Sequence, residues 1–159
     1  MRYRVDASRS RFIAQAFAKG PLSAFGHNPR LAIRGFEGEA EFDPAAPRAA
    51  SVWMKARAGS LTVIDDMSEK DRREIERVTR EELLEAICYP EIVFQSANVT
   101  ARQVAEGRYQ ASVAGDLSLR GVTRELAIDA TALIEGDELR ALGGFPLFYL
   151  WRWLKAQRS

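Results

Sequence analysis

Gly115-Asp116-Leu117-Ser118-Leu119-Arg120-Gly121-Val122-Thr123-Arg124 sets the architecture of this chain. Leu117 and Leu119 alternate with polar neighbours, the period of a strand with one apolar face. Arg120-Gly121 is a tight turn, and Val122-Thr123-Arg124 opens the next strand. The same pattern continues on both sides. Strand-like runs cover Glu91 to Val99, Arg108 to Leu119, Thr123 to Ile134 and Leu139 to about Leu147. Glu106-Gly107, Arg120-Gly121 and Glu135-Gly136-Asp137 break them. Toward the N-terminus, Phe12–Ala18 reads as a strand ended by Gly20-Pro21, and Leu31–Phe42 as a longer extended run. Gly35 and Gly38 inside that run suggest bulges or barrel corners. Val52, Met54, Ala56 and Ala58 share one face of a further strand, with Trp53, Lys55 and Arg57 on the other.

One segment departs from this period. From Ser68 to Ala86 there is no Gly or Pro, and 12 of the 19 residues are charged. Ser68, with Asp71 three residues on, is a helix start. Ile75, Val78, Leu83 and Ile87 form a loose apolar stripe, and a break is expected near Thr79. The charges read as a solvated face carrying pairs among Glu69, Arg73, Arg77 and Glu81. Regular strands, glycine turns and one helical insertion around 68–86 predict a mainly β protein. The expected form is an antiparallel sheet closed into a barrel or sandwich.

Composition narrows the function. The chain has 159 residues, 47% of them hydrophobic, with 23 Lys plus Arg against 22 Asp plus Glu. That length suits one domain with a real core. The charge balance argues against a dedicated nucleic-acid binder. One cysteine, Cys88, and one histidine, His27, allow neither an intrachain disulfide nor a Cys/His metal site. No cofactor is expected. The opening MRYRVDASRS lacks the apolar core of a secretory signal, so the expected location is the cytoplasm. The longest apolar stretch, near Phe145 to Leu154, is interrupted by Arg152 and is too short to cross a bilayer.

Catalytic motifs are scarce. There is no phosphate loop and no Gly-x-Ser-x-Gly elbow. Asp65 and Asp66 are adjacent, so in extended chain they point apart. His27, in Phe25-Gly26-His27-Asn28-Pro29, reads as a loop residue fixing its turn, with a general base or a contact at a cavity mouth as the alternative. Cys88 reads as a buried, inert thiol.

The decade from Gly115 to Arg124 resembles the "GDLTIRGVT" signature of the YceI-like family. Three more pieces follow the family's order. Gly35-Phe36-Glu37-Gly38 with Phe42-Asp43-Pro44 resembles its hairpin region, Ala58-Gly59-Ser60-Leu61-Thr62 its serine-bearing strand end, and Tyr89-Pro90-Glu91-Ile92-Val93-Phe94-Gln95-Ser96 its "YPxIxFxS" run. The resemblance implies a lipocalin-like barrel over residues 1–147, with an elongated apolar interior that binds a polyisoprenoid, an isoprenoid quinone or a similar lipid. Many relatives are periplasmic.

A barrel interior of that kind needs lining rather than catalytic groups. The inward candidates are Val52, Met54 and Ala56, then Ile92 and Phe94, then Val113, Leu117 and Leu119. Phe36 and Phe42 are placed at the cavity's edge. A single-residue bulge would invert such an assignment. Residues 148–159 depart from the family pattern and read as an aromatic, basic tail on an incomplete barrel. That predicts an open sheet edge, with possible homodimer pairing or weak membrane-surface contact by the tail. Three functions are carried forward: a lipid-binding barrel that is not an enzyme, a ligand-free assembly module, and an enzyme using His27.

Overall fold

Strand alternation around Leu117 produces the longest hairpin of the protein. In the computed structural model, which describes residues 1–15 and 29–144, β7 (Glu91–Ala105), β8 (Arg108–Leu119) and β9 (Val122–Glu135) form an antiparallel meander. β1 (Arg2–Arg4), β4 (Phe36–Glu41), β5 (Ser51–Arg57) and β10 (Glu138–Gly144) complete a curled seven-stranded half-barrel. Its order is β1-β4-β5-β7-β8-β9-β10. A second sheet, in the order β2-β3-β6, is built from β2 (Ile13–Gln15), β3 (Arg30–Ile33) and β6 (Leu61–Val63). Leu31, Ile33, Leu61 and Val63 of this smaller sheet share one apolar core with the larger one.

The turn between β8 and β9 has two residues, with φ of +52° for Arg120 and +76° for Gly121. Both values are left-handed, as a turn matching the strands' right-handed twist requires. Glycine takes that conformation freely and arginine does not. Arg120 is held there by its own side chain. Its Nε donates to Glu85 Oε2 at 2.8 Å, its Nη1 donates to the Leu83 carbonyl at 3.4 Å, and the residue is buried. The Tyr89 ring lies against Gly121, so that a Cβ there would come within 2.8 Å of it.

The charged insertion folds as α1 (Glu69–Arg77) and continues directly into a π-helical stretch, Val78–Leu83. The break expected near Thr79 is this change of winding. The Ser68 hydroxyl caps α1 by accepting from the Asp71 N–H at 3.2 Å. Glu69 pairs with Arg73 at 3.6 Å and Glu81 with Arg77 at 3.2 Å on the outer face. Ile75 is completely buried, and Val78 follows it into the core.

Three expectations need correction. Leu31–Phe42 is two strands in different sheets, because the chain turns at Arg34-Gly35. Ile87 does not continue the apolar stripe and is 92% exposed. Cys88 is exposed rather than buried. The last two share a cause. Wider π winding shifts the helical phase, and Glu85, at φ +45°, turns the chain outward before residue 87. The Cys88 and Tyr89 N–H groups then both donate to the Glu85 carbonyl. Strand limits also shift. β1 escaped the sequence reading, and β7 runs six residues past Val99 to Ala105. The distal parts of the strands expected at Phe12–Ala18 and Leu139–Leu147 lie outside the described residues.

An ion pair joins the turn that follows β1, Ala7–Arg9, to β10. Arg9, just beyond β1, meets Glu138 of β10 at 2.5 Å. Arg140 also donates to Glu138, at 3.1 Å. Hydrogen bonds from Arg9 first and Arg140 second hold the Glu138 carboxyl below the usual carboxylate range.

Candidate ligand-binding face

Strand register places the candidate residues side by side. Phe36 pairs with Ala56, and Ala56 with Ile92. In the next row Gly38 pairs with Met54, Met54 with Phe94, Phe94 with Leu117 and Leu117 with Arg124, which ends the row at an exposed position. Val52 pairs with Ala40 one step further along β4 and β5. Val99, Val113 and Ile128 make another row across β7, β8 and β9. Leu119 follows Leu117 on the same face and pairs with Val122. Neighbours in such rows have Cβ atoms within about 5.5 Å of each other, so each row is a continuous apolar strip.

A bulge does occur, between Ser96 and Asn98 of β7. It falls after Ile92 and Phe94, so both keep the alternation of the first half of β7, with Phe94 buried. Beyond it the parity changes, and odd-numbered Val99 becomes the buried residue. Gly115 lies opposite Ser96 at this point. A Cβ on Gly115 would come within 2.4 Å of the Gln95 carbonyl oxygen and 2.8 Å of the Phe94 ring. Only glycine lets β8 approach the bulged strand this closely.

Nine of the ten lining candidates enter one apolar cluster. Ala56, Phe94, Val113, Leu117 and Leu119 are buried members, and Val52, Met54, Phe36 and Ile92 pack against them. Phe42 lies apart, one residue past β4. Its ring meets Tyr109 edge-on at 5.0 Å between centroids. His27 lies outside the described residues, as does the tail from 148 to 159.

The face is covered by the helical segment. Ile75, Val78 and Leu84 belong to the same cluster as Phe94 and Leu117. The segment is held at both ends. At its start, Arg72 donates to the carbonyls of Val63 and Asp65, and Glu76 accepts from the Val63 N–H at 3.3 Å. At its end, Arg120 holds Glu85 and the Leu83 carbonyl. The clamp by Arg120 escaped the sequence reading, although a basic residue closing an apolar alternation was its visible sign. A separate open groove of about 570 Å³ lies on β7, β8 and β9, lined by Thr100, Arg102, Gln110, Asp129 and their neighbours. It touches none of the candidate residues.

Known proteins resemble this chain in sequence or in fold. A UPF0312 protein of Pseudomonas fluorescens is 32% identical over 107 residues, which cover 67% of this chain and 51% of the relative. A UPF0312 protein of Pseudomonas syringae pv. tomato is 30% identical over 106 residues, covering 67% and 50%. The chain thus spans about half the length of the curated relatives it matches. The crystal structure of Burkholderia cenocepacia BcnA superposes with a TM-score of 0.65 at 21% identity, covering 87% of this chain and 77% of that one. At that identity the likeness is one of fold. The YceI-like domain family matches residues 3–146. With that match over most of its length, and with the half-barrel and its helical cover as described, the chain belongs to the YceI-like family.

Proposed function

We propose that the protein binds a long apolar amphiphile, a polyisoprenoid, isoprenoid quinone or similar lipid, and carries or sequesters it without chemical change. The observation behind this reading is the registered apolar field of Phe36, Ala56, Ile92, Met54, Phe94 and Leu117 beneath an amphipathic helical cover. In this reading the ligand enters by displacing the cover from the sheet. Its apolar area then replaces that of Ile75 and Val78. At roughly 25 cal/mol per Å², about 300 Å² of buried chain supplies about 7 kcal/mol before the costs of association. The test is native mass spectrometry of the protein as purified from cells, with displacement of N-phenyl-1-naphthylamine by geranylgeraniol as the solution readout. A releasable prenyl-type mass and saturable displacement are expected. A bare protein with no saturable displacement overturns the reading.

A second reading has its own observation. Among the described residues β10 pairs only with β9, and its Leu142 is 81% exposed. An unpaired apolar edge favours strand addition by a second copy. Sedimentation of the chain and of Leu142→Lys separates the two readings. A dimer abolished by the lysine supports assembly.

A further inference from the structure

Thr79 is out of keeping with its surroundings. It follows Ile75 and Val78 at the spacing that puts all three on one helix face. Ile75 and Val78 pack into the cluster that contains Phe94, Leu117 and Leu119. Thr79 is 8% exposed, and its hydroxyl is buried without a hydrogen-bond partner. A helical threonine ordinarily donates to the carbonyl four residues back. Here the hydroxyl makes no such bond, although the Ile75 carbonyl, which accepts from the Val78 N–H it shares with Glu74, keeps a free lone pair. The Thr79 carbonyl in turn accepts from the Leu84 N–H at 2.9 Å, the wide bond of the π turn. Such wide turns are rare and recur at functional sites. A buried hydroxyl left unpaired costs stability, and valine would fill the same volume without that cost.

We infer that Thr79 is the contact for the polar end of the bound amphiphile, and that this end is an uncharged oxygen, an alcohol or a carbonyl. The inference rests on the lipid-binding reading above. The chemistry of the surroundings sets the ligand class. Thr79 offers one neutral hydroxyl among apolar side chains, able to donate to a carbonyl or exchange a hydrogen bond with an alcohol. An anionic end would need a buried cation. Among the described residues the buried cation is Arg120, and its guanidinium is engaged by Glu85 and the Leu83 carbonyl. Seating a carboxylate or diphosphate here would leave a buried charge unpaired or break that clamp.

The experiment uses the whole chain and three probes that displace N-phenyl-1-naphthylamine: geranylgeraniol, geranylgeranyl diphosphate and the hydrocarbon phytane. Wild-type protein is expected to prefer the alcohol to the hydrocarbon by about fivefold or more, the worth of one buried hydrogen bond. The diphosphate should bind more weakly than the alcohol. Thr79→Val should lower alcohol affinity to that of phytane and leave phytane unchanged. Its unliganded melting temperature should equal or exceed that of wild type. Thr79→Ser should keep the preference. If Thr79→Val does not fold, the wild-type preference and Thr79→Ser decide. A Thr79→Val protein that still prefers the alcohol overturns the inference, as does a wild type that binds alcohol and hydrocarbon alike. In both cases lipid binding itself stands. A wild type that binds none of the three probes overturns the lipid-binding reading and this one with it.

Discussion

Gly115→Ala tests the geometry on which the binding face depends. The added Cβ would meet the Gln95 carbonyl oxygen at 2.4 Å, Ser96 Cα at 2.8 Å and Phe94 Cζ at 2.8 Å. Ordinary contacts lie near 3.5–4.0 Å, so about 1 Å of movement is needed. The Phe94 ring can turn aside. The two backbone atoms belong to the paired strand at its bulge and cannot move without breaking the ladder. Overpacking of this kind costs about 1–3 kcal/mol, and the smaller unfolded-state entropy of alanine returns about 0.5–1 kcal/mol. The expected net loss is about 1.5 kcal/mol. That corresponds to a fall in melting temperature of about 3–6 °C, or a urea midpoint lower by roughly 0.5–1 M. The double variant with Phe94→Leu locates the cause. If backbone contact dominates, the two losses add and smaller Phe94 gives no relief. A Gly115→Ala protein that unfolds with wild type refutes the close approach. Full rescue by Phe94→Leu assigns the cost to the ring and refutes the backbone argument.

Arg120→Met removes the clamp from the turn to the helical cover. Glu85 is partly solvated, so the expected loss is modest, about 1–2 kcal/mol. Faster amide exchange should be confined to residues 78–89, and unchanged exchange there would show that the cover is held by its apolar face alone. Leu117→Asp puts a carboxyl opposite Phe94, and the expected outcome is an unfolded chain or a folded one that no longer retains lipid. A folded variant that retains lipid normally means the face is wrongly assigned. Glu138→Gln tests the ion pair between the Ala7–Arg9 turn and β10. Because Arg9 and Arg140 depress the Glu138 pKa, its contribution is present above the unfolded value near 4.3 and fades as pH falls through the lower folded value. Melting curves of wild type and variant should therefore differ at pH 6, and the difference should shrink as pH falls below the unfolded value. A difference that does not shrink on acidification contradicts the assignment.

Local pattern carried most of the sheet and little of what covers it. Arg108–Leu119 was readable to the residue because Val113, Leu117 and Leu119 alternate toward the core in an unbulged strand and two-residue turn chemistry marks its end. Phe94 and Leu117 could be assigned to one face because the register between them precedes the bulge. Val99 could not be assigned with them, since an extra residue in one strand leaves no mark in the alternation. Ile87 and Cys88 failed for a related reason. Their phase depends on a π turn and on one left-handed residue, Glu85, and neither follows from helix periodicity. Thr79 was visible only as the place where a helix might break. That its hydroxyl lacks a partner is a fact of three-dimensional placement, with no mark in the helix period.

Several of the features that sequence pattern missed belong to the helical cover, and together they suggest how the interior is reached. Both ends of the segment are tied by polar contacts, Arg72 and Glu76 to β6 and its following loop, and Arg120 to Glu85 and Leu83. Between the ties the cover meets the sheet through apolar contact, with the altered winding and the unpaired Thr79 hydroxyl in its middle. Apolar contact is non-directional, so a lipid chain can replace it at little net cost, whereas an ion pair or a cap has no substitute in a hydrocarbon. The segment should therefore bow outward between fixed ends rather than detach. On this argument Ile75→Ala, which removes the fully buried side chain beside the Glu76 tie, makes two changes of opposite sign. Loss of the side chain lowers the unliganded stability by about 2–5 kcal/mol. The same space, now vacant, no longer has to be cleared, so affinity for geranylgeraniol should rise. Thermal unfolding with and without that probe reads both quantities. A variant whose stability and affinity fall together would mean that Ile75 holds the ligand rather than its place, and the cover would then have to be redrawn as part of the binding wall.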